Sequence, residues 1–150
     1  MSLKFANNNS LSAITALPAA VSGGSLNLIS TQTASSSATI SFTSNIDDTY
    51  KEYQFHFIEM HPATNDTNFT FQTDTGTNTS YNQTMTTTCF DAYHINDGSN
   101  TFLGYVTNRD QAQGSNFIEF MSNLTDDNDS GSSGIIHLFN PSSDTFVKHF

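Results

Sequence analysis

Apolar and polar residues alternate one for one along most of this chain. Leu26 and Leu28 flank Asn27, with Ile29 following; Ile40 and Phe42 alternate with Thr39, Ser41 and Thr43. Tyr53, Phe55 and Phe57 fall on one side of a period-two run, and Gln54, His56 and Ile58 on the other. Phe69 and Phe71 alternate with Thr70 and Gln72. Met85, Thr87, Cys89 and Tyr93 mark a longer strand bent near Asp91. Successive side chains of a strand point to opposite faces, so this period predicts half-buried strands. The runs at 117–121 and 135–139 are apolar on both faces, the pattern of central strands, and 145–150 reads as a final strand. Turn clusters separate the runs: 44–49, 74–78, 96–100 and 126–131, each rich in Asn, Asp, Ser, Thr or Gly.

About eight short strands and no amphipathic helix predict an all-β fold, an antiparallel β-sandwich of jelly-roll type. Residues 1–24 read as an N-terminal extended arm or linker, broken by Pro18 and Gly23-Gly24, and residues 25–150 as the sandwich domain. The run at 145–150 has no closing turn. It reads as a domain incomplete at its C-terminus, or as an edge strand completed by other protein.

Composition narrows the function. The chain has 21 Thr, 20 Ser and 16 Asn against 4 Lys and Arg, with 13 Phe and 5 Tyr to build a core and no Trp. Only 12% of residues are charged, where soluble domains average about 25%. A surface of hydroxyls and amides points to an extracellular or particle-surface protein. The net charge of −10 argues against nucleic acid and against anionic membranes as partners, since both repel a polyanion. One cysteine, Cys89, excludes an intrachain disulfide framework.

Catalytic chemistry finds little support. His56, His61, His94, His137 and His149 form no metal-spaced pair, although His137 and His149 lie in runs expected to neighbour each other. Cys89 has no basic partner in sequence reach and reads as a small buried hydrophobe. Most acids sit in turns; Glu59 continues the Tyr53, Phe55 and Phe57 face and reads as a rim carboxylate. The run at 126–131 places Asp126, Asn128 and Ser130 on the first three ligand positions of a calcium loop, with Gly131 on the sixth. His137 stands where that loop needs its bidentate Glu, so the pattern is not an EF-hand, and the three residues remain weak candidates for a looser Ca²⁺ site. No cofactor is expected. Tyr81, Tyr93, Tyr105 and Phe102 lie beside loop clusters and are the candidates for contact with a glycan or a partner.

The wording of the chain resembles a group of virion structural, tail-fibre-like proteins of marine bacteriophages, especially those of cyanobacteria. The segments that carry it are LISTQTASSSATISFTS at 28–44, IDDTYKEYQF at 46–55, IEMHPAT at 58–64, LGY at 103–105, GIIHLFNPSS at 134–143 and FVKHF at 146–150. The resemblance covers most of residues 25–150 and includes no catalytic motif. It implies a non-enzymatic virion protein of the tail or fibre, or a capsid decoration, that acts by assembly and surface contact. Its partners would be other virion proteins and further copies of itself, a trimer being favoured, with the arm docking it to the particle. The alternative is a carbohydrate-binding module that recognises host surface glycans.

Overall fold

The computed structural model describes residues 26–150. The expected arm, 1–24, lies outside them. Close contacts divide the chain after Asp47, so residues 26–47 and 48–150 are taken separately. Residues 26–47 contain no strand. The two runs expected there, at Leu26–Leu28 and Ile40–Phe42, lie outside regular pairing; Gln32 Nε2 donates to the Ser41 carbonyl at 2.8 Å instead. Alternation specifies a face for burial but supplies no partner strand.

Residues 48–150 hold six strands: β1 (Glu52–Met60), β2 (Thr67–Phe71), β3 (Phe90–His94), β4 (Thr101–Tyr105), β5 (Ile118–Leu124) and β6 (Ser132–Phe139). A single 3₁₀ turn, Thr107–Arg109, follows β4. All pairing is antiparallel, as expected, in three two-stranded ribbons: β1 with β6, β2 with β5, and β3 with β4. The pairs are nested. β3–β4 is the inner hairpin, β2–β5 encloses it, and β1–β6 encloses both.

The long strand expected at 85–93 is shorter than its pattern. Met85 makes one isolated bridge to Gly114, and the ladder begins only at Phe90. The run at 145–150 likewise reduces to one bridge, His149 to Phe139, so His149 stands opposite Phe139 and not His137. The runs at 117–121 and 135–139 were expected in central strands. Each instead lies in a two-stranded ribbon with one open edge. β4 was not expected, because Phe102, Leu103 and Gly104 break the alternation.

The core forms where the two outer ribbons meet. Phe57 of β1 packs edge-on to Phe69 of β2 at 5.0 Å and against Phe120 of β5 at 5.4 Å. Tyr53, Ile136 and Leu138 are buried on the same side of the β1–β6 ribbon as Phe57. Gly134 lies opposite Phe57, and a Cβ on it would come within 3.0 Å of the Phe120 ring. Only glycine admits that approach. Past Phe57 the register of β1 slips, and Glu59 takes a left-handed backbone, φ 52°. Glu59 is exposed at this bulge near the end of β1.

Polar side chains supply the remaining ties. Buried Gln72 donates to the carbonyls of Ser115 and Asn116, at 3.1 Å each, and of Gln83 at 3.3 Å. Asp74 gathers the following loop: it accepts from the Thr75 and Tyr81 amides and from the Asn78 and Gln83 side chains, at 2.7–3.1 Å. Burial would raise its pKa, but these four donors outweigh that and hold it below the ordinary carboxylate value.

Candidate functional site

The β3–β4 hairpin gathers most of the aromatic residues singled out in the sequence. Its tip is the predicted turn at 96–100. The Gly98 amide donates to the Ile95 carbonyl at 2.9 Å and the Ser99 amide to Asp97 Oδ1 at 2.8 Å. Gly98 has φ 75°, which costs a glycine little. Bonds to Ser99 lower the Asp97 pKa, side chain first and backbone second.

Register sets the two faces of the hairpin. Tyr93 stands directly opposite Phe102, and their rings stack at 5.6 Å with 23° between planes. Asp91 and Gly104 share that face, and the Phe102 ring lies over Gly104. Phe90 stands opposite Tyr105 on the other face, rings 5.5 Å apart, with Ala92 and Leu103 beside them. Cross-strand aromatic pairs of this kind stabilise a hairpin by roughly 0.2–1 kcal/mol each.

Among the described residues neither face is fully covered; only the Asp91 end of one lies under Arg109. Phe90 is 72% exposed and Leu103 82%, while Tyr93 and Phe102 keep 47% and 39%. Neither edge carries a third strand either. Val106 N bonds to Cys89 O and Ile95 N to Asn100 O, both at 2.9 Å, so the odd-numbered residues of β3 bond inward. The backbone groups of Phe90, Ala92 and His94 therefore point outward along the open edge.

Arg109 anchors the hairpin from beneath. It follows Thr107 and Asn108 in the 3₁₀ turn and reaches Asp91 of β3 through Nη1. Its Nε meets Glu119 Oε1 of β5 at 2.6 Å. Asn68 Nδ2 of β2 donates to the other oxygen of Glu119 at 2.8 Å, so one guanidinium links the inner hairpin to the β2–β5 ribbon. Burial would lower the Arg109 pKa, but Glu119 and then Asp91 raise it. Next to the clamp, Asp110 accepts from the Cys89 amide at 2.8 Å and from the Tyr105 hydroxyl, a bond that raises the Tyr105 pKa.

The other sequence candidates are dispersed. Tyr81 belongs to the Asp74 loop, where its amide, not its ring, is engaged. In the turn at 126–131 the Ser130 amide donates to the Asp127 carbonyl at 2.9 Å, and the Asp126 amide donates outside the turn to Asn65 Oδ1 at 3.1 Å. Asp126 and Asn128 are exposed and Ser130 half-buried. Among the described residues no three His, Cys, Asp or Glu side chains are grouped to hold a metal ion.

A second polar group lies on the outer face of β1–β6. His137 Nδ1 meets Glu52 Oε1 at 2.6 Å, Gln54 Nε2 donates to the same oxygen at 2.9 Å, and His56 Nε2 lies 3.1 Å from Gln54 Oε1. The bond from Gln54, then that from His137, lowers the Glu52 pKa. The His137 and Glu52 side chains are 44% and 41% exposed there.

Sequence reading missed Arg109, Phe90 and Leu103. A usable signal was the presence of a single arginine among 14 acidic residues. Such a residue is worth pairing with every acid that lies in a strand. Comparison with protein families, with characterised proteins and with solved structures finds no match to this chain.

Proposed function

We propose that this chain is a non-enzymatic structural module of a bacteriophage particle, part of a tail, a fibre or the capsid surface, acting by assembly. The observation that carries this reading is the β3–β4 hairpin, which is aromatic on both faces and, among the described residues, open on both edges. A two-stranded hairpin is marginal in water by itself and gains stability when a third strand or a packed face covers it. Exposed edges of this kind invite pairing with another chain. Patches such as Phe90, Leu103 and Tyr105 mark contact surfaces.

The nested pairing favours a jelly-roll arrangement. A jelly roll wraps one long antiparallel ribbon so that strands pair from the middle outward, and β3–β4, β2–β5 and β1–β6 follow that order. The acidic, hydroxyl-rich turns keep the rest of the surface soluble. The test is incorporation: tagged protein should co-purify with intact particles in multiples of three or five, and Leu103→Asp should abolish this while far-UV circular dichroism stays unchanged. Absence of the parent protein from purified particles sinks the proposal.

A further inference from the structure

We draw no further inference here: the strongest candidate, the apolar cavity that Phe71, Ile118, Phe120, Ile136 and Phe150 line beside β6, carries nothing because nothing in the structure shows what covers it.

Discussion

Replacing Arg109 with Met tests the clamp beneath the hairpin. The substitution keeps most of the side-chain volume and removes the guanidinium from between Asp91 and Glu119. The three side chains are 18%, 28% and 22% exposed, so the site lies between a surface pair and a buried one. Exposed pairs contribute about 0–1 kcal/mol, and breaking a buried pair costs about 3–5 kcal/mol. Two charge-assisted bonds are lost, each worth roughly 1.5–3 kcal/mol before water is allowed to compensate. An expected loss of about 2–3 kcal/mol follows. At about 2–4 °C per kcal/mol for a chain of this size, Tm should fall by roughly 4–12 °C. Urea unfolding gives the free energy directly, and amide exchange should show the loss of protection concentrated in β3 and β4. Arg109→Lys should recover less than half of the loss, because an ammonium lacks the planar fork that spans two carboxylates. Parent-like stability of Arg109→Met, to within about 0.5 kcal/mol, would refute the reasoning, since that is the usual scatter of surface changes. Full rescue by lysine would refute the geometry while sparing the charge.

Other expectations concern acids, packing and ions. Glu52 has a folded pKa below its ordinary 4.5, so its stabilising effect is full above that value and is lost as pH falls through the lowered one. Glu52→Gln should flatten the acid limb of a stability-against-pH curve, and an unchanged limb argues that the Gln54 and His137 contacts are idle. The same sign holds for Asp74. Asp74→Asn should speed amide exchange at Thr75 and Tyr81 and leave β6 untouched, as read by two-dimensional NMR. Gly134→Ala forces a Cβ against Phe120 and should cost about 1–3 kcal/mol as overpacking; a neutral result in urea unfolding would mean that the two outer ribbons do not pack there. The turn holding Asp126, Asn128 and Ser130 is held by the Ser130 amide on Asp127 and by Asn65 on the Asp126 amide; millimolar calcium is expected to leave Tm unchanged, and a rise would assign a cation to it.

The strands with clean alternation and a partner are the ones that were legible. β1 and β2 lie where Tyr53 and Phe69 set the period, β5 and β6 lie on the two runs apolar on both faces, and the turn at 96–100 was plain from Asn-Asp-Gly-Ser-Asn. Ile40 and Phe42 show the limit: their alternation is as good as that of β2, yet they lie outside any strand. β4 was hidden because Gly104 has no side chain to signal a face, and its partnership is set by the hairpin turn. The candidate surface was half legible. Tyr93, Tyr105 and Phe102 stood out beside loops, while Phe90 and Leu103 carried no signal of their own and are placed on the exposed face only by the register of the hairpin. The Arg109 clamp depends on residues at 68, 91, 109 and 119 converging, and no local pattern encodes that.

Nested pairing also has a kinetic side. Phe90 and Tyr105 are 15 positions apart, whereas Glu52 and Phe139 are 87 apart. Closing the longer loop costs about 1.5 kcal/mol more in chain entropy. The inner hairpin therefore forms first, and the ladder zips outward from it. During synthesis the order of emergence runs against this. β1 leaves the ribosome roughly 4–16 s before its partner does, at about 5–20 residues per second. Through that interval the apolar face of β1 lacks the β6 ladder, so the nascent chain is most prone to aggregate before β6 has been made.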